Sequence, residues 1–555
     1  MKLINSLFLA TTLSISSYAA TDAGSISKDI NKQFNIKAKP NIEKIKNNKK
    51  EVLPVDPNAL KVFVRSFDIS GNTLIDSNDI QNILKPFLNK KLTFNEIQNA
   101  TREIAELYKK RGFSSRAFLP PQEVENGIIQ IIILEGTLSA IEIDALDVKR
   151  LNKDYAKKVI ENAHPIGEKL QTSKLEKGLL ILSDTPGVTS KSTLVSGDKA
   201  GESKVKVKLE DSNLLNASVS YSNTGSKSTG SDQVALSGFV NSPFGLGDQI
   251  TSQFMKTKGI DYGKISYTFP LGFSGFRTGF NISKMKYDVI DGTDSDGTSS
   301  SIGITTSYPI IRARDKNINL NLNFDSKSYR NNTDGLVVSD KTNRVLSSAV
   351  SASFFDNYGV SQFDTTLSLG KINLSKVASD LSTDQSSANT QGSYKKLVIT
   401  ASRYQSLTDS LLLNLNGTMQ FANKNLDSSE KLSLGGVYGV RAYPSNEASG
   451  DEGWLINAEL TKTLPNNFST SIFYDIGKIK QHHKTYTNWQ GSSSADNSYL
   501  LKGIGTSVSY TKGKFSAKAT LAWKHGKNPD ALANGNDSDN TNKDPRFWMQ
   551  LSYVF

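Results

Sequence analysis

The sequence predicts a mainly β chain: a C-terminal transmembrane antiparallel β-barrel of about sixteen strands, preceded by two small α/β units and by an N-terminal helix with a linker. Three observations predict it. In the last nine residues, Phe547, Met549, Leu551, Tyr553 and Phe555 fall at strict period two, so one strand face is wholly apolar with aromatics at both ends. A barrel strand facing lipid needs such a face, and the last strand must pair with the first to remove the open edge. From about residue 212 onward, alternating segments recur, separated by Gly, Asn, Asp and Ser. Finally, mean hydropathy is −0.38, and after the N-terminal leader no apolar run reaches the roughly 18 residues a spanning helix needs. A membrane crossing must therefore use strands.

Residues 1–19 read as a secretory signal peptide: Lys2 supplies the positive start, Leu3 to Ile15 the apolar core, and Ser17-Tyr18-Ala19 the small-x-small cleavage site. The chain has 555 residues and no cysteine, so disulfides, thiolate chemistry and cysteine metal sites are excluded. Its net charge of +12 fits an anionic membrane surface; an exported chain seldom meets nucleic acid, and no nucleic-acid partner is expected. Residues 20–60 hold a short helix, with Ile26, Ile30 and Phe34 on one stripe, then a linker crowded with Lys37, Lys39, Lys44, Lys46, Lys49 and Lys50. So short a helix is unstable alone, and its stripe implies a docking surface.

Residues 61–136 form the first α/β unit. Phe67 and Ile69 lie in a strand that stops at Gly71-Asn72, and a helix follows from about Ser77. A second helix starts at a capping box, Thr93-x-x-Glu96, and carries Ile97, Ala100, Ile104, Leu107 and Tyr108 on one face. Gly112 follows as a C-cap requiring positive φ, and strands Phe113 to Leu119 and Ile128 to Leu134 close the unit. Residues 137–211 repeat the order, with Ile141 and Ile143 in a strand, a helix from Asn152, a second expected capping box at Ser173-x-x-Glu176, and a final strand through Val205, Val207 and Leu209.

Residues 212–555 supply the barrel. Ile318, Leu320, Leu322 and Phe324 interleave with four asparagines, and Phe515, Ala517, Ala519, Leu521 and Trp523 alternate with polar residues, with no helices expected between strands. One greasy face and one wet face, at roughly 20 residues per strand with its loop, allow about sixteen strands.

These residues carry a resemblance. Gly71-Asn72-Thr73, Tyr108-x-x-x-Gly112-Phe113, Leu119-Pro120-x-Gln122 and Glu135-Gly136 resemble a POTRA (polypeptide-transport-associated) domain. Asp184-Thr185-Pro186-Gly187-Val188 is similar to the second POTRA domain of two-partner secretion transporters. In the barrel, Asn241-x-Pro243, Gly245-x-Gly247-Asp248, Leu434-Gly435-Gly436, Val440-Arg441-Ala442-Tyr443, Gly450-Asp451-x-Gly453, Glu459 and Phe473-x-Asp475-x-Gly477 follow in that family's order. Many members have Gly where Ala442 stands, so the backbone there is expected to differ slightly.

The resemblance implies outer-membrane translocation of a large unfolded partner exoprotein of the haemolysin, adhesin or haem-binding type. The POTRA domains would bind it in the periplasm, and no nucleotide would be hydrolysed. It implies that the Ile26-Ile30-Phe34 helix plugs the pore. It also implies a lumenal loop carrying Val440, Arg441, Ala442 and Tyr443, with Arg441 meeting Asp475 beside Gly477 as an anchor or a gate. The terminal Phe555 resembles the signal read by the barrel-assembly machinery, and outer-membrane lipid is the remaining partner. A barrel-assembly factor is the alternative reading; a passive porin would not need two α/β modules. No H-E-x-x-H, G-x-S-x-G or Walker loop occurs, so no catalytic residue, enzyme activity or cofactor is expected. The adjacent His482 and His483 suggest no metal site, because neighbouring residues on a strand face opposite ways.

Overall fold

The computed structural model describes residues 22–34, 60–491 and 493–555. The leader at 1–19 and the lysine-rich linker at 35–59 lie outside the described residues. Helix α1 (Ala23–Phe34) is followed by the two α/β units, which share one topology. In the first, Ser66–Ser70 runs parallel to Ile128–Glu135, which pairs antiparallel with Ser115–Phe118. Helices α2 (Ser77–Leu84) and α3 (Phe94–Lys110) cover one face. In the second, Thr137–Asp144 runs parallel to Glu202–Asp211, itself antiparallel to Val188–Ser196, with α4 (Lys153–Ala163) and α5 (Thr172–Ser183) as cover. Each three-stranded sheet therefore places its last strand in the middle, and each core is closed by the helical stripes: Ile97, Ala100 and Ile104 in one, Leu175, Ile181 and Leu182 in the other.

The capping box at α3 forms: the Thr93 N–H donates to Glu96 Oε2 at 2.7 Å, and the Glu96 N–H donates back to Thr93 Oγ1 at 3.3 Å. The second expected box does not. Helix α5 starts two residues earlier than that box implies, at Thr172, with Gln171 as its N-cap and no side-chain cap. Gln171 is held by a bridge to Phe113 and by donating its N–H to His164 Nε2, while Glu176 turns away to pair with Arg314 at 2.9 Å. Tertiary contacts override the local motif here. A ladder of Lys61–Val64 with Lys90–Thr93 was not expected from so lysine-rich a stretch; only Val64 and Leu92 of its apolar residues are buried.

Glu135 sits at the junction of the units. Its buried carboxylate accepts from the Thr73 N–H at 2.6 Å, the Leu74 N–H at 2.8 Å and the Tyr108 hydroxyl at 2.9 Å, and from the Thr73 hydroxyl. Burial alone would raise its pKa, but these donors outweigh it and hold the carboxyl at about 2. Next to it, backbone bonds stitch the units: Ser114 N–H to Leu170 O at 2.9 Å, and Leu170 N–H to Gly136 O at 2.7 Å.

The barrel is closed and has sixteen strands, from Leu215–Ser222 to Arg546–Val554, each antiparallel to its neighbours. Gln550–Val554 pairs with Ser218–Ser222, and the Phe555 N–H donates to the Ala217 carbonyl at 2.8 Å, so the terminal aromatic finishes the seam. Phe547, Tyr553 and Phe555 stay exposed on the outer face while Trp548 is buried inside. One expectation fails: helix α6 (Ala378–Ser386) interrupts the all-strand texture. Its sequence has almost no apolar stripe, and what holds it is Asp384, which accepts from the Thr390 N–H at 2.7 Å and the Gln391 N–H at 2.9 Å.

The second unit docks on turns at one end of the barrel. Asp184 takes a bidentate pair from Arg312, at 2.6 and 2.8 Å, and Ser242 Oγ donates to the Arg150 carbonyl at 2.6 Å. Gly247 lies with φ +70° and leaves room for Thr185, whose Cγ2 would be 2.5 Å from an added Cβ. The Asp184-Thr185 and Gly245-x-Gly247 motifs thus meet each other.

Candidate functional site in the barrel lumen

Between strands Leu411–Ala422 and Glu452–Thr463, residues 423–451 leave the wall and fold into the lumen. The loop doubles back on itself: the Val440 N–H donates to the Leu434 carbonyl at 2.7 Å and the Gly436 N–H to the Tyr443 carbonyl at 3.1 Å. Val440, Ala442 and Tyr443 are fully buried with Leu434, Phe473 and Leu501.

Arg441 lies at the centre. Its Nε and Nη2 donate to the two oxygens of Asp475 at 2.9 and 2.8 Å, and its backbone N–H also reaches Asp475 at 3.1 Å. Nη1 donates to Glu459, and the guanidinium carbon stands 3.4 Å over the centre of the Phe473 ring. Asn457 adds a bond to Asp475 at 2.7 Å, and the Trp548 indole N–H donates to the Arg441 carbonyl at 2.8 Å. Asp475 is fully buried and Arg441 is 7% exposed. The bidentate geometry suits a planar guanidinium and would not suit lysine. The structure thus brings Arg441 to Asp475 and adds Glu459, Asn457 and Trp548 as partners that no spacing in the sequence assigns to them.

Glycines on the facing strands make the space. An added Cβ at Gly477 would come 2.8 Å from Leu434 of the loop, and one at Gly503 would come 2.9 Å from the Ala442 Cβ. Ala442 does not adopt a positive φ, and its methyl fits because Gly503 has none. Gly503→Ala should therefore lower the folded fraction, read as heat-modifiable gel mobility, and Ala442→Gly should restore it. If the second change rescues nothing, the contact is not what limits the site.

A second anchor was missed. The 3-10 turn Ser428–Glu430 presses on a different stretch of the wall. Glu430 pairs with Lys327 at 3.3 Å and with Lys396, and accepts from Asn343 Nδ2 at 2.9 Å; Asp427 pairs with Lys341 at 2.7 Å. A third contact joins Glu447 to Asn528 Nδ2 at 2.8 Å and to the Ser538 N–H at 2.9 Å.

Helix α1 lies in the same lumen. Ile26 and Ile30 are buried against Met255, Tyr262, Met285, Tyr287 and Tyr329, and Phe34 stacks on Tyr262 with ring centres 5.9 Å apart. The Ala23 N–H donates to Asn331 Oδ1 at 2.8 Å. The helix also touches the loop: Lys28 Nζ donates to the Lys431 carbonyl at 2.9 Å and to Ser433 Oγ at 3.0 Å. Of the adjacent histidines, His483 Nδ1 lies 3.1 Å from Glu452, while the His482 ring packs edge-on against Tyr486 and Trp489.

Residues 62–136 match the family of POTRA domains, ShlB-type, and residues 201–499 match the family described as haemolysin secretion/activation protein ShlB/FhaC/HecB. The chain is 25% identical over 567 residues to the heme/hemopexin transporter protein HuxB of Haemophilus influenzae, covering 99% of this chain and 98% of that one. The solved structure of CdiB from Escherichia coli is similar in fold, with a TM-score of 0.70 and 21% identity over 91% of this chain and 93% of that one. BamA from Haemophilus ducreyi lacking POTRA domains 1–3 shares the architecture more loosely, with a TM-score of 0.52 and 15% identity, covering 89% of this chain and 100% of that one. The chain belongs to the ShlB/FhaC/HecB family of haemolysin secretion/activation proteins, the outer-membrane transporters of two-partner secretion.

Proposed function

We propose that this chain carries one unfolded exoprotein from the periplasm to the cell surface, through a lumen that rests closed by α1 and by the 423–451 loop. The observation that carries this reading is how the two obstructions are held. Both lie inside the barrel on side-chain contacts, hydrogen bonds and a few ion pairs, and neither is a wall strand. Such contacts can be exchanged for contacts with an incoming chain without opening the sheet.

Capture falls to the α/β units, placed in the periplasm. Ser115–Phe118 and Val188–Ser196 are edge strands of their sheets. An extended segment added to such an edge gains backbone hydrogen bonds that tolerate many sequences. Folding of the exported chain outside biases the direction, so no nucleotide is needed. By analogy with HuxB, a haem- or hemopexin-binding exoprotein is the first partner class to test, with haemolysins and adhesins next. Phe555 and its strand serve recognition by the barrel-assembly machinery. A helix seated in the lumen favours this reading over a barrel-assembly factor.

Deleting residues 61–210 should leave a barrel that inserts, because every lipid-facing strand lies beyond 212, and should abolish release of a co-expressed partner. Partner in the medium at normal levels would remove the capture step from this account.

A further inference from the structure

We propose that the outer face of the barrel carries a binding site for a phosphorylated glycolipid of the outer leaflet, with Lys284 and Arg330 taking phosphate charge and the notch over Gly263 taking an acyl chain. The strand register sets out the site. Lys256, Asp261, Lys286, Thr298 and Arg330 stand directly opposite one another across five strands, forming one row. One step deeper, Phe254, Gly263, Lys284, Ser300 and Ser328 form the next row. Below that come Ile265, Ile282 and Ile302, exposed by 48%, 60% and 63%. Partners directly opposite in a sheet share a face, and this face is the outer one. The cations therefore stand at the edge of the apolar band, at headgroup height, with hydrocarbon beneath them.

The charges do not cancel. Lys256 is paired with Asp261, and Lys286 with Asp288 at 3.2 Å. Lys284 and Arg330 have no ion-pair partner among the described residues; Asp340, which stands directly opposite Arg330, is paired with Lys376 at 2.7 Å. A groove of about 530 Å³ opens between Val234, Leu236 and Phe254 on its apolar side and Lys256, Lys284 and Lys286 on the other. Gly263 makes its floor: an added Cβ would meet the Phe254 ring at 3.3 Å. A ligand for this surface must be anionic at one end and apolar at the other. Phosphate suits the arginine, whose guanidinium can donate two parallel bonds. These strand ends lie opposite the turns on which the second α/β unit docks, so the choice of the outer leaflet rests on the periplasmic placement proposed above. Protease accessibility of the α/β units in intact cells tests that placement separately.

The test uses the full chain in phosphatidylcholine nanodiscs, titrated with bis-phosphorylated lipid A and read by native mass spectrometry, with folding checked by heat-modifiable mobility. The double variant Lys284→Gln/Arg330→Gln should bind about tenfold more weakly or worse. Gly263→Leu, which changes no charge, should also weaken binding by filling the notch. Lys478→Gln, another outward-facing lysine on strand Phe468–Lys480, should bind as the parent does. Dephosphorylated lipid A should not compete, and neither should inorganic phosphate, which has no acyl chain for the groove. Equal binding by the double variant, or full competition by either probe, would overturn the site.

Discussion

Arg441→Ala is expected to cut export at least about tenfold per folded transporter, while the barrel still assembles. The substitution leaves Asp475 fully buried with only Asn457 and the residue 441 backbone N–H as donors. Removing one partner of a buried, hydrogen-bonded ion pair typically costs about 3–5 kcal/mol. The loss falls on the loop, because sixteen paired strands hold the wall independently. The loop would stay partly tethered through Lys341–Asp427 and through Glu430, so its position should blur without coming free. Asp475→Ala should be milder, since the guanidinium keeps Glu459. The double variant should match Arg441→Ala alone if the residues act as one unit. Secreted partner, normalised to the heat-modifiable band, reads all three. Defects that simply multiply would mean that the residues act independently, and the latch would have to be abandoned.

Removing α1 should have the largest effect on the pore itself. Deleting residues 20–34 takes the Ile26-Ile30-Phe34 stripe off Met255, Tyr262, Met285 and Tyr287 and breaks the Lys28 contacts to the loop. Single-channel conductance in planar bilayers should rise severalfold over the intact chain. The exposed wall patch carries tyrosine hydroxyls, so it tolerates water, and the barrel should remain folded. Unchanged conductance would mean that the 423–451 loop alone closes the lumen.

The fold could be read from the chain because lipid imposes a repeated rule. A strand with one face in hydrocarbon must alternate, and segments such as Ile318 to Phe324 and the terminal Phe547 to Phe555 obey it over their whole length. The box at Thr93 also held, because helix, cap and carboxylate are all within three residues. What escaped depends on distance. Lys327, Lys341 and Lys396 lie on three different strands and read as ordinary solvated charges; only the folded loop brings Asp427 and Glu430 to them. Ser173 failed as a cap because the neighbouring unit holds Gln171. Helix α6 escaped because side-chain hydrogen bonds to Asp384 hold it, with no apolar period to read. Glu459, although part of a recognisable motif, gave no sign that it shares Arg441 with Asp475.

A reversible lock on α1 tests the central claim most directly. The chain has no cysteine, so an introduced pair is the only one present. Gly24 and Ser429 suit it: a Cβ built at Gly24 would stand 2.8 Å from the Ser429 Cβ, and a small shift of the helix reaches disulfide spacing. The measurement is secreted partner from cells carrying Gly24→Cys/Ser429→Cys, with and without reductant, against each single variant. If α1 must leave the lumen for the partner to pass, the oxidised transporter should release almost none, and reduction should restore release to the level of the single variants. Undiminished export by the oxidised form would contradict the account, because the partner would then be crossing with the helix still in place.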